Sequence, residues 1–307
     1  MKRERFFHVW AALAMLVCIA TGWAQSKGID PTLLAKATAG DASAQERVAD
    51  AFGNGEGIPK DYVQAAVWYR KAAEQGSARA QLLLGDLYFD GQGVPQDYSQ
   101  AAAWFRKAAE QGNARAQYSL GLAYYSGQGV PQVYAQAVVW YRKAAEQGNP
   151  DAQTHLAFLY VNGEGVSQDF AQAAIWFDKA AEQGVADAQY NLGIAYTRGQ
   201  GVPQDYGQAA AWCRKAAEQG DADGQLQLGV LYYHGQGVPQ DYAQAAILYR
   251  KAAEQGLARA QFLLGDAYAK GKGVPQDYPQ AAIWYLRWLR LFGQFSPIFK
   301  WKFCFSV

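Results

Sequence analysis

A 36-residue period without insertion or deletion runs through this chain and limits what it can fold into. Its clearest mark is a closing glycine, found at Gly40, Gly76, Gly112, Gly148, Gly184, Gly220 and Gly256. An ungapped repeat of this length calls for stacked supersecondary units, each burying its apolar face against its neighbours rather than in one central core. Seven units follow: 41–76, 77–112, 113–148, 149–184, 185–220, 221–256 and 257–292, the last altered at its end. Ahead of them, residues 25–40 read as a half-unit. Asp30-Pro31 supplies an N-cap and a first-turn proline, and Leu33 to Gly40 matches the end of a unit's second helix.

Each unit reads as helix, glycine loop, helix. In the first helix Ala80, Leu84 and Tyr88 recur at i, i+4, i+8, as do Ala116, Leu120, Tyr124 and Ala188, Leu192, Tyr196, which places them on one buried stripe. Gly85, Gly121, Gly193, Gly229 and Gly265 adjoin the leucine, where a missing side chain lets the paired helix approach. The loop Gly91-Gln92-Gly93-Val94-Pro95-Gln96 offers a positive-φ glycine to end the first helix and a proline to stiffen the return. Asp97 with Gln100 predicts a capping box, repeated as Asp61/Gln64, Asp169/Gln172, Asp205/Gln208, Asp241/Gln244 and Asp277/Gln280; Val133 breaks it once. The second helix carries an alanine seam with large rings at fixed places. Trp68, Trp104, Trp140, Trp176, Trp212 and Trp284 are expected in the core, and Cys213, at the place of Phe105, as an inert buried thiol.

Charge and cysteine content narrow the function classes. Formal net charge is +1, and the net +2 of Lys2, Arg3, Glu4 and Arg5 leaves the rest at −1, so the repeats offer no basic field for nucleic acid. Met1 to Ala24 shows basic residues, an apolar run from Phe6 to Ala20 and small residues before a cut at Ala24/Gln25. This is the pattern of a secretory signal peptide, with an uncleaved anchor as the alternative reading. Export to a periplasmic or secreted destination is expected. After such a cut only Cys213 and Cys304 remain, so no cysteine framework holds the fold. His155 and His234 lie in different units without metal-ligand spacing, and no Ser-x-x-Lys occurs. No cofactor or metal is expected.

The recurring pattern Ala-Gln-x-x-Leu-Gly-x-x-Tyr-x-x-Gly-x-Gly-Val-x-x-Asp-x-x-x-Ala-x-x-Trp-Tyr/Phe-x-Lys-Ala-Ala-x-Gln-Gly resembles the Sel1-like repeat, a cousin of the tetratricopeptide repeat, over 41–292. The resemblance implies an all-α, right-handed α/α superhelical solenoid that acts as a scaffold or adaptor for proteins rather than as an enzyme. One cysteine-rich branch of the family is linked to β-lactamase-like or penicillin-binding activity. A cell-wall-related enzyme of that branch is therefore the alternative, although its cysteine pair per repeat is missing here.

Positions that vary between units are where a binding surface is expected. In the first helix, 79, 82, 86 and 89 align on one face, which by resemblance to tetratricopeptide repeats is concave. Arg79, Phe89, Arg115, Tyr118, Leu122, Tyr125, Phe158, Tyr190, Ile194 and Tyr233 are the candidate partner-binding residues, for proteins or extended peptides. The alternative is that these rings only complete packing between neighbouring first helices. A rim of arginine giving way to aspartate would set the direction of a bound segment. The ending departs from the pattern, with Leu286-Arg-Trp-Leu-Arg-Leu-Phe292 followed by the aromatic, basic tail 293–307. Residues 286–307 read equally as a membrane-surface segment, a cap folded over the last unit, or a replaced ending.

Overall fold

The computed structural model describes residues 28–292, which form fifteen α-helices and no strands. The signal-peptide reading of 1–24 and the tail 293–307 lie outside the described residues. Two compact units divide between Asn149 and Pro150. The first holds α1 (Pro31–Thr38), α2 (Ala42–Asn54), α3 (Tyr62–Glu74), α4 (Ala78–Asp90), α5 (Tyr98–Glu110), α6 (Ala114–Ser126) and α7 (Tyr134–Glu146). Here α2/α3, α4/α5 and α6/α7 pack as the helix pairs of three repeats, with α1 on α2, α3 on α4 and α5 on α6. The second holds α8 (Pro150–Asn162), α9 (Phe170–Glu182), α10 (Ala186–Arg198), α11 (Tyr206–Glu218), α12 (Ala222–His234), α13 (Tyr242–Glu254), α14 (Ala258–Lys270) and α15 (Tyr278–Phe292). Its four repeats pair in the same way, and α10 also touches α12.

The local signals act much as their chemistry demands. At the start of α1, Asp30 accepts from Thr32 N at 2.8 Å ahead of the first-turn Pro31. Gly91 ends α4 in the left-handed region at φ +69°. Gly85 touches its partner helix as its missing side chain requires, since a Cβ there would stand 2.6 Å from the Phe105 ring. The second loop glycine has a separate cause that sequence reasoning missed. A Cβ on Gly93 would fall 2.1 Å from the Tyr62 carbonyl oxygen at the start of α3, so the loop lies directly on the preceding repeat's second helix.

The capping box is corrected to half of one. Asp97 Oδ1 accepts from the Ser99 and Gln100 amides at 2.9 and 3.0 Å, as an N-cap should. The other half would bring a Gln100 carbonyl back to the Asp97 amide. That amide instead donates to the Tyr88 carbonyl of α4 at 2.9 Å, which ties the two helices of the repeat together. The same backbone bond holds Val133 to Tyr124 at 3.0 Å, so the start of α7 keeps its capped backbone without a side-chain acceptor.

Repeats are joined by a ladder of buried glutamines. Gln81 donates from Nε2 to the Ala73 carbonyl of α3 at 3.0 Å, while its Oε1 accepts at 2.7 Å from Nε2 of Gln111, the residue that ends α5. In the first unit, Gln45 and Gln117 make the same two bonds with Ala37 and Gln75, and with Ala109 and Gln147. In the second unit Gln189 does so with Ala181 and Gln219. A buried amide costs several kcal/mol in apolar surroundings unless both its ends are paired, and here each pairing spans two helices. The tryptophans sit at the margin of the core. Trp68, Trp176 and Trp284 are buried and Trp104, Trp140 and Trp212 half-buried. A cation three residues on lies over each ring, from Lys215 at 3.7 Å above Trp212 to Arg287 at 4.6 Å above Trp284.

Candidate functional site

In the first unit the candidate residues sit on α4 and α6, and their charges are already committed. Arg79 Nη1 and Nη2 reach Glu46 at 3.2 Å and Asp50 at 2.9 Å on α2, and Arg115 Nη2 reaches Asp86 on α4 at 2.9 Å. These arginines clamp one repeat to the one before rather than standing free at a rim. Burial pushes the Asp86 carboxyl up to about 6, with Arg115 pulling it back down. The rings are held by the second helix of their own repeat. Phe89 meets Tyr98 at 5.2 Å, Tyr118 meets Tyr141 at 5.8 Å and Tyr125 meets Tyr134 at 5.4 Å. Leu122 is half-buried beside them.

In the second unit Phe158 packs edge-on against Phe177 at 5.1 Å, and Tyr233 against Tyr242 at 5.0 Å. Tyr190 and Ile194 are half-buried on α10. Lys272, from the α14–α15 loop, donates to the Tyr233 hydroxyl at 3.0 Å and lies 5.0 Å from both the Tyr233 and Tyr242 ring centres. Charge here is acidic in three of the four repeats. Asp151, Asp187 and Asp223 occupy the position held by arginine in the first unit, and Arg259 restores arginine in the last repeat. Asp187 accepts from Asn191 Nδ2 at 2.9 Å, and its carboxyl is raised by burial, lowered by that bond, and raised again by Asp223.

The candidate rings are thus half-buried, and Phe89, Tyr118, Tyr125, Phe158 and Tyr233 are each packed on a second ring, so a partner that touches them freezes little side-chain motion. The ring pairs Phe89–Tyr98, Tyr118–Tyr141, Tyr125–Tyr134, Phe158–Phe177 and Tyr233–Tyr242 each join the first and second helix of one repeat. One residue was missed. Phe262 of α14, 36 residues beyond Leu226, is 40% exposed and flanked by Tyr285 at 5.7 Å and Trp288 at 5.2 Å. Following the period for one more step would have found it.

The chemistry available to these faces is that of contact. Among the described residues no group of three or more His, Cys, Asp and Glu side chains could hold a metal ion. Burial pushes the Cys213 thiol up to about 12, away from nucleophilic use. No described helix is long and apolar enough to cross a membrane.

Repeated helix pairs, a glutamine ladder between them and fixed rings on one face define an α-helical repeat protein of the interaction-scaffold type. The chain belongs to the Sel1 repeat family, whose profile matches residues 42–77, 78–113, 114–149, 150–185, 186–221, 222–257 and 258–291. It is similar to the crystal structure of a protective antigen of uropathogenic Escherichia coli that displays an SLR fold, with 41% identity and a TM-score of 0.80. That match covers 86% of this chain and 57% of the antigen, so the chain spans little over half of that protein. A Sel1 repeat protein from Oxalobacter formigenes is 32% identical, with a TM-score of 0.70 over 80% of this chain and 96% of its own. No curated protein sequence matches the chain.

Proposed function

We propose that the chain is an exported, non-enzymatic scaffold that holds extended segments of partner proteins on the first-helix faces of its repeats. The observation that carries this reading is the set of half-exposed rings, Tyr118 and Tyr125 in one unit and Phe158, Tyr190 and Tyr233 in the other. Tyr118, Tyr125, Phe158 and Tyr233 are each packed on a second ring, and Tyr190 recurs two periods after Tyr118. Within each unit, rings held on the first-helix faces suit an extended chain, which meets them at little entropic cost. Membership of a family whose fold is typical of protein-interaction scaffolds supports it further. Export rests on the leader pattern of residues 1–24.

Peptides selected from a displayed library against the full chain should lose at least about tenfold affinity for a Tyr118→Ala, Tyr190→Ala variant of matched thermal stability. Equal binding to both proteins would remove these faces as the site. Mass spectrometry of the periplasmic or secreted protein should find an N-terminus at Gln25, and an intact leader on the mature protein would overturn export by cleavage.

A further inference from the structure

Where α10 meets α12, three carboxylates come together without a counter-charge. Asp187 lies in the first turn of α10 and Asp223 in that of α12, both exposed, and Asp221 caps α12 by accepting from the Gly224 amide at 2.6 Å. The two helices touch, and Gln227 Nε2 of α12 lies 3.5 Å from the Thr197 hydroxyl of α10. None of the ion pairs among the described residues involves any of the three aspartates. Burial raises the Asp187 and Asp221 carboxyls, bonds from Asn191 and Gly224 lower them, and Asp223 raises both again. His155 of α8 draws Asp187 down in turn.

The N-terminal end of a helix favours an acid, which accounts for Asp187 and Asp223 singly. It does not account for their company, because like charges held side by side repel. In the first unit Arg115 stands at the place of Asp187 and is paired with Asp86. The basic residues of α10 and α12, Arg198 and His234, close the helices at their other ends. Over that length of helix they stand about 16 Å away at 1.5 Å per residue, twice the ~8 Å over which salt screens a charge. Between the two ends the surface is apolar, with Tyr190, Ile194 and Val230 half-buried.

We infer that this place takes a basic segment, an extended chain with two Lys or Arg residues three positions apart, one set against Asp187 and the other against Asp223. The inference rests on the reading of the first-helix faces as the docking surface and adds the chemistry of what docks. Charge complementarity selects a cationic occupant over an acidic or neutral one. The spacing follows from the contact between α10 and α12, since packed helices stand about 8–10 Å apart. A polyproline II chain rises about 3.1 Å per residue with three residues per turn, so every third side chain returns to the same side after about 9 Å. A Lys or Arg stem then lies on the Tyr190 ring and Ile194 while its charge reaches the carboxylates.

The test starts from peptides selected from a displayed random library against the full chain at low salt, then made synthetically and measured by fluorescence anisotropy. Enriched peptides should carry two basic residues three positions apart. They should bind an Asp187→Asn, Asp223→Asn variant at least about tenfold more weakly than the unaltered chain, and lose affinity steeply as salt is raised. That variant should keep or raise Tm, since it removes like charges while Asp221 still caps α12. A Glu182→Gln, Glu218→Gln variant removes the same net charge from exposed places at the ends of α9 and α11 and should change affinity by no more than about twofold. Enriched peptides without the paired cations, equal binding to the aspartate variant, or an equal loss in the glutamate variant would each overturn the inference. If those peptides still lose affinity for the Tyr118→Ala, Tyr190→Ala variant, the ring faces remain the docking surface and only their charge preference is wrong. A library that yields no binder would overturn both.

Discussion

On α4 and α6 of the first unit, Arg79 and Arg115 reach back to acids on the preceding first helix; at the same place on α8, α10 and α12 the second unit carries Asp151, Asp187 and Asp223. The difference lies in what stands one repeat earlier. Arg79 meets carboxylates 33 and 29 residues before it, and Arg115 meets one 29 before it. Counting back from Asp187 reaches Thr154 and Phe158, and from Asp223 reaches Tyr190 and Ile194. An arginine at either place would find no acid in those positions, and Arg259 on α14, with Leu226 and Val230 at the same two counts, stands in that situation. The first unit therefore spends this charge on cohesion between repeats, whereas three of the second unit's four repeats leave acid at the same place.

The largest expected contrast between the units concerns the ring beneath these faces. Phe105, buried in the first unit against Gly85, has Cys213 as its counterpart against Gly193 in the second. Phe105→Ala should cost about 3–5 kcal/mol through lost burial and the cavity left behind, whereas Cys213→Ala should cost about 1 kcal/mol. Urea unfolding of the two variants measures both. A Cys213→Ala cost as large as that of Phe105→Ala would mean that the second unit packs around its thiol as tightly as the first packs around its ring.

A middle-sized effect should show no contrast. Gln117→Leu and Gln189→Leu each remove two hydrogen bonds, one to the Ala109 or Ala181 carbonyl, which keeps its backbone donor from Gly112 or Gly184, and one from the Gln147 or Gln219 amide. About 2 kcal/mol is expected for each, from two lost hydrogen bonds at about 1 kcal/mol apiece. Denaturation of the two variants should give values within about 0.5 kcal/mol of each other. A larger gap would break the claim that one ladder chemistry serves both units.

That ladder also marks where the sequence was and was not legible. Helices and loops were readable because Asp30, Asp97 and Gly91 act through neighbours a few residues away, and local chemistry shows in a local pattern. The period carried the number of repeats in the same way. The glutamines recurred just as plainly, but their bonds join residues 30 apart, and a polar residue at a fixed place reads as a surface residue until its burial is seen. Gly93 was hidden for the same reason, because the oxygen it avoids belongs to the preceding repeat. Of the candidate face, the ring positions were legible from their spacing. The role of Arg79 and Arg115 was not, because a charge's partner is set by tertiary neighbours rather than by the face it shares.

The smallest effect tests the charge contrast itself and depends on pH. Asp86 has its folded value raised from 3.8 to about 6, so between these pH values the folded chain binds more protons than the unfolded one. Stability contributed by this group is therefore full below about pH 4 and falls as pH rises through about 6. Asp187 is raised as well, so the second unit should share the sign, but it has no arginine to moderate the loss. Arg115→Ala should then cost up to about 1 kcal/mol at pH 8, where Asp86 is ionised and paired, and close to nothing at pH 4.5, where it is protonated. NMR titration of the variant should also place Asp86 above its value in the unaltered chain, because the guanidinium that favoured the carboxylate is gone. If the cost is the same at both pH values, the clamp acts through the packing of the arginine stem, and the charge difference between the two units has no energetic consequence.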